Sequence, residues 1–184
     1  MSIERSLIEH CSPTLASLKV GSLFSFLSPV DQDLHDQVLE ANLMLEKKGL
    51  TLLVIKSMGE RALCYLYLAS QLEAVLADED NAAFLRENGY DDLSVSGALN
   101  TLRAHLEICP CFPHEIGLFL GYPLGDVIGF IRNKGKNCLL CGMWKSYTDK
   151  VAAQKLFDKF GKCTEVYKRM HALGRTLHQL TVSA

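Results

Sequence analysis

Cys11 and His114 are the two side chains whose type and setting invite a chemical reading. His114 stands beside Glu115 near the start of FPHEIGLFLGYPLGDVIGFIRNKGKN, Phe112 to Asn137, a run that reads as a buried strand opening into a Gly/Asn-rich loop. An imidazole placed there either works beside a thiol or merely caps the strand. Cys11 lies in EHCSPTLASLKVGSLFSFL, where Pro13 suits the first turn of a helix. That places Cys11 at the helix N-terminus, where unpaired N–H groups and the dipole lower a thiol's pKa. The competing reading makes Cys11 a small buried hydrophobe, since free cysteine is among the most buried residue types. A thiol nucleophile also needs a base for its proton and a group to orient that base, near in space but not in sequence.

Periodicity and punctuation give the elements that carry these groups. DQDLHDQVLEANLMLEKKG has Leu34, Val38 and Leu45 at helical spacing, opens on Asp31 and Asp33, and closes on Lys47, Lys48 and Gly49, so a helix is expected. LTLLVIK and RALCYLYL flank Ser57–Met58–Gly59–Glu60 and predict a β-hairpin. Two or three helices are expected between Ala69 and Ile108, broken near Asp78–Asp80 and at Gly89. EIGLFLGY predicts a strand, PLGDVIGFIRN a short helix with Pro123 at its first turn, and CLLCGMWKSY another strand. DKVAAQKLFDKFGKCTEVYKRMHALG predicts a long helix interrupted or bent around Gly161. A chain of 184 residues with no repeat or linker suits a single domain over 1–184. The fold class expected is α+β, an antiparallel sheet packed against helices.

Charge and composition narrow the partners. A formal charge of −2 with scattered Lys and Arg argues against nucleic acid and anionic membranes. MSIERSLIEH has charges where a signal peptide needs an apolar run, and no segment has the length of a membrane helix. A cytoplasmic protein is therefore expected. There, seven cysteines are free thiols, metal ligands or a nucleophile sooner than a disulfide frame.

The order of a Cys at a helix start, a His at a strand start and a polar residue beyond it resembles the papain-like cysteine-protease fold. HEIGLFLGY, GFIRNKG and CGMWKSY look like that fold's His strand, its Asn-bearing segment and its next strand. The resemblance implies Cys11 as nucleophile, His114 as general base and then acid, and Asn133 as the residue orienting the imidazole. The local Cys signature of papain is absent, and Arg5 stands where a Gln would serve an oxyanion hole. Asn137, Ser146 and Asp149 are alternatives for the third role. CSPTLA, FPHEIGLFLGYP, DVIGFI and GMWKSY also resemble an uncharacterised domain family of anaerobic bacteria, one that includes an amide synthase of polythioamide antibiotic assembly. That resemblance implies an acyl group passing from a carrier-protein thioester (acyl or peptidyl carrier) to the cysteine and then to an amine, with no cofactor. Hydrolysis of an amide or thioester is the same chemistry with water as acceptor.

Other readings compete. Cys109, Cys111, Cys138 and Cys141 together could offer four thiolates to zinc or an iron–sulfur cluster, although one C-x-C with one C-x-x-C is not a usual ribbon pair. A thioredoxin-like role for Cys138 and Cys141 is weaker, because such motifs open a helix. Asp126 and Glu115 form no evident carboxylate pair, and the glycines at 125, 129 and 135 lack the context of a phosphate loop. Trp144, the only tryptophan, reads as core or rim packing or as a cleft wall. Gly117 hints at the close approach of a ligand or backbone, or at a bulge. The expected function is thiol-dependent acyl transfer through acyl-Cys11, against a noncatalytic binding or metal-holding protein.

Overall fold

Ile3, Leu7, Ile8, Cys11 and Leu15 recur at helical period, and all five are buried on one face of helix α1, Ile3–Leu15. The computed structural model describes residues 2–27, 31–108 and 112–183, with the backbone alone at positions 31 and 32. Ser2 caps α1 by accepting from the Arg5 amide, and Pro13 falls in the last turn instead of the first. The expected helix start at Pro13 is thus corrected. A proline in a last turn costs one N–H bond, which a helix about to end tolerates better than an interior turn does.

Strand β1 (Gly21–Leu27) comes next, then helix α2 (Asp31–Leu45) and a 3₁₀ turn, Glu46–Lys48. Gly49, at φ +78°, ends that turn in the left-handed region that favours glycine. Strands β2 (Leu50–Met58) and β3 (Arg61–Leu68) form the expected hairpin, with Gly59 at φ +63° in its two-residue turn. The sheet order is β1-β3-β2, antiparallel throughout, with a bulge between Val54 and Lys56. Along the central strand, Ala62, Cys64, Leu66 and Leu68 join the α1 and α2 residues in one core. Tyr65 and Tyr67 stack on the opposite face.

Helices α3 (Ala69–Ala77), α4 (Glu79–Glu87) and α5 (Val95–Ile108) continue the chain. Asp78 caps α4, and Gly89 at φ +87° ends it. EIGLFLGY is not a strand. It folds as the single-turn helix α6, Ile116–Phe119, succeeded by α7, Leu124–Arg132, with Pro123 at its N-cap. Instead of a long strand, CLLCGMWKSY forms only the small hairpin of β4 (Leu140–Cys141) and β5 (Lys145–Ser146). Helix α8 (Lys150–Ala172) runs unbroken through Gly161, and the short α9 (Leu177–Leu180) ends the described fold.

The fold is α+β. By its internal contacts the chain divides into two compact units, Met1–Leu72 with Lys162–Ala184, and Glu73–Gly161. The first holds the three-stranded sheet with α1, α2 and α9; the second is helical around the β4–β5 hairpin. Among the described residues no helix is long and apolar enough to cross a membrane.

Candidate functional site

The second unit is organised around a buried carboxylate. Gly125 and Gly129 lie one turn apart on α7, and a Cβ on either would stand 2.6 Å from Thr148 Cγ2 or 2.5 Å from Tyr147 Cβ. Two bare positions therefore let the segment after β5 lie directly on the helix. Asp126, between them, receives that segment. Its Oδ1 accepts from the Tyr147 amide at 2.8 Å, the Thr148 amide at 2.9 Å, the Thr148 hydroxyl at 2.8 Å and the Ser146 hydroxyl at 3.4 Å. Its Oδ2 accepts from the Trp144 indole N–H at 2.8 Å. Burial alone would raise this carboxyl's pKa, but the donors from Tyr147, Trp144 and Thr148 together hold it below the usual aspartate value.

Helix α6 is positioned by a second carboxylate. Glu115 is buried and accepts from His105 Nδ1 at 2.7 Å and the Tyr90 hydroxyl at 3.2 Å. The Tyr90 and His105 rings meet edge to face. Burial, and then the Glu115 charge, push the Tyr90 phenol well up, so it stays a donor. At its other end α6 closes with the Tyr122 amide bonded to Gly117 O and the Gly121 amide to Leu118 O, Gly121 standing at φ +76°. That is a Schellman ending, which requires a left-handed residue at this position.

With Glu115 turned inward, its neighbour His114 is exposed and sets its ring edge-on to Phe130 of α7, centroids 5.0 Å apart. Lys145 of β5 comes to the same ring, its Nζ 5.8 Å from the centroid, and donates to Gly135 O at 2.7 Å. These residues border an open cavity of about 460 Å³ between α6, α7 and the β4–β5 hairpin. Ile116, Leu120, Val127, Phe130, Met143 and Trp144 make most of its wall, with Cys141 and Asp126 also reaching it. Trp144 is stacked on Tyr122 and meets Phe157 edge-on, which fixes the indole in that wall.

The residues singled out in the sequence fall in different places. Cys11 is not at a helix start: it lies in the second half of α1, 0 % exposed, within the core of the first unit. Burial drives its thiol pKa far up, the Lys19 ammonium pulls it partly back, and Cys64 adds to the rise. The thiolate expected from a helix N-terminus is disfavoured there, because dehydration outweighs the one nearby cation. His114 belongs to the second unit and lies in the turn that leads into helix α6, not at the start of a strand. Asn133 ends α7, its side-chain amide donating to Gly129 O at 2.8 Å. Of the alternatives, Ser146 is spent on Asp126, and Asp149 caps α8 through the Val151 and Ala152 amides. Asn137 sits in a loop at φ +58°.

Cys138 and Cys141 are unbridged, and Cys109 and Cys111 lie outside the described residues. Among the described residues no three His, Cys, Asp or Glu side chains converge to hold a metal ion. Gly117 sits at a close approach of a side chain, neither of a ligand nor of backbone, for a Cβ there would stand 2.7 Å from Val127 Cγ2. Sequence reasoning missed Asp126 as organiser, Glu115 with Tyr90 and His105, and Lys145. The available signals were Gly125–Asp126 with Gly129 one turn on, and an indole that needs an acceptor when buried.

A family model described as "Protein of unknown function (DUF3793)" matches residues 7–181. No curated protein and no solved structure matches the chain.

Proposed function

Because the chain belongs to the DUF3793 family, whose description assigns no activity, its own geometry must carry the reading, and we propose that residues 73–161 bind a small, mainly apolar molecule. The observation that carries this is the roughly 460 Å³ cavity in the second unit, walled by aliphatic and aromatic side chains with a few polar groups among them. A cavity of this size and character is what small-ligand sites have in common. Removing an alkyl chain from water into it supplies about 0.8 kcal/mol for each buried methylene. Asp126 serves the wall and not the ligand, since its oxygens already hold five donors.

Trp144 lines the cavity and is the only tryptophan, so its emission reports occupancy directly. Titration with octanol is expected to give a saturable change in that emission. Val127→Phe, which fills the cavity from α7, is expected to abolish the change while leaving the helical circular dichroism intact. A linear response, or the same saturable response in the filled variant, would sink the proposal.

A second reading, thiol-dependent acyl transfer at Cys11, draws on a different observation. Lys19 lies close enough to Cys11 for each charge to act on the other, and burial lowers its ammonium to about 8. An amine in that range can accept a proton near neutral pH. In this reading Lys19 receives the Cys11 proton only as the sulfur attacks a carrier-protein thioester, and passes it to the departing carrier thiol. The acyl-cysteine then passes its acyl group to an amine. It requires Cys11, closed from solvent in the described fold, to become reachable. Incubation with an acyl thioester and no amine should leave an acyl adduct on Cys11 by mass spectrometry; acylation of Cys141 alone would discard this assignment.

A further inference from the structure

Lys145 has a feature that an ordinary surface lysine lacks. Its ammonium is fixed from two sides, by the Gly135 carbonyl and by the face of Phe130, at the border of an apolar cavity. Among the described residues no carboxylate lies within ion-pair distance of it. Asp126 reaches the same wall, but its charge is taken up by five donors from the Trp144–Thr148 segment. One bond to a carbonyl uses one of the three donors of an ammonium. His114 also meets the Phe130 ring, so two nitrogen-bearing side chains contact a single phenyl group at the cavity border. What they share is a place for a small anion beside an apolar chamber.

Resting on the ligand-binding reading above, we propose that the cavity takes a medium-chain carboxylate, its alkyl chain among Ile116, Leu120, Val127 and Met143 and its carboxylate on Lys145 and His114. A charge-assisted N–H···O bond to a group held in place beforehand loses little side-chain entropy on binding. The chain is aliphatic and not aromatic because the ring surfaces are largely engaged. Trp144 is covered by Tyr122 and Phe157, and Phe130 carries His114 and Lys145. The cation on Phe130 also argues against an ammonium ligand, which would otherwise suit an aromatic wall.

The test compares octanoate, octanol and octylamine by the emission of Trp144 in the whole chain at constant ionic strength. Octanoate is expected to bind at least about tenfold more tightly than either of the others, the size of one good charge-assisted contact. The ratio of the octanoate and octanol constants should fall toward unity in Lys145→Met and persist in Lys145→Arg. Equal affinities for octanoate and octanol in the wild type would overturn the carboxylate assignment while leaving the cavity reading intact. Tightest binding of octylamine would overturn it too, and would mean that Asp126 is felt through its donors. Saturable binding of none of the three would overturn both.

Discussion

A carboxylate withdrawn from water needs a donor for each lone pair it exposes, and Asp126 finds them all in one short segment. Its partners come from three consecutive positions, Ser146 to Thr148, and from the indole of Trp144 just before them. One side chain thereby shapes the whole turn that bounds the cavity. Asp126→Asn removes the charge and turns an NH₂ group toward N–H groups that can only donate, the Trp144 indole or the Tyr147 and Thr148 amides, at a cost of about 3 kcal/mol. Urea unfolding should show that loss, and a wild-type midpoint in the variant would refute the role. The carboxyl is held below its ordinary value, so its contribution is complete above about pH 4 and fades as the pH falls through the lower folded value. The acid limb of stability should therefore be shallower in Asp126→Asn than in wild type. Residues of this kind were poorly legible in the sequence, because a lone Asp in a helix shows nothing of donors so far along the chain. Cys11 misled for the converse reason. Its Pro13 neighbour is a helix-start signal, and only the Ile3–Leu7–Ile8–Leu15 face reveals that the helix had already begun.

Elements were readable where a period was closed by punctuation. α2 carries its apolar face to Gly49, the β2–β3 hairpin turns on Gly59, and α4 runs from Asp78 to Gly89. α6 had no period to read, since every residue from Glu115 to Leu120 is buried. A continuous apolar run of that length fits a buried strand as well as a buried helix. Its true signal was the sequence Gly121–Tyr122–Pro123, a left-handed stop with a proline behind it. The contact between α7 and the segment after β5 gives a sharper test of how the site is held. Gly129→Ala would place a methyl 2.5 Å from Tyr147 Cβ, and backbone, not a flexible side-chain tip, would have to yield. The expected cost is about 1–3 kcal/mol, accompanied by a shift in Trp144 emission as the hairpin is pushed off α7. Unchanged stability and emission would show that the hairpin is not seated by that glycine.

Across the molecule, the first unit is assembled from two segments far apart in sequence, Met1–Leu72 and Lys162–Ala184. Leu177 is 2 % exposed in its core, its amide donates to Glu4, and the Val182 amide donates to Leu15 O. Lys48 reaches across to the carbonyls of His178 and Thr181. Leu177→Ala should cost about 2–4 kcal/mol, the range for a buried leucine cut to alanine, and should raise amide exchange in β1, β2 and β3. Unaltered exchange in those strands would mean that α9 does not complete the core. This part of the architecture was only half legible in the sequence: Thr176 with Gln179 three positions on is a capping-box signature for the start of α9, but nothing in LHQL says that the helix plugs a core. The arrangement also bears on how the protein is made. A ribosome emits residues 73–161 as one uninterrupted block, whereas the sheet waits, with a leucine-sized vacancy, until Leu177 has been added. Translation thus sets the order in which the units can close, residues 73–161 before the sheet.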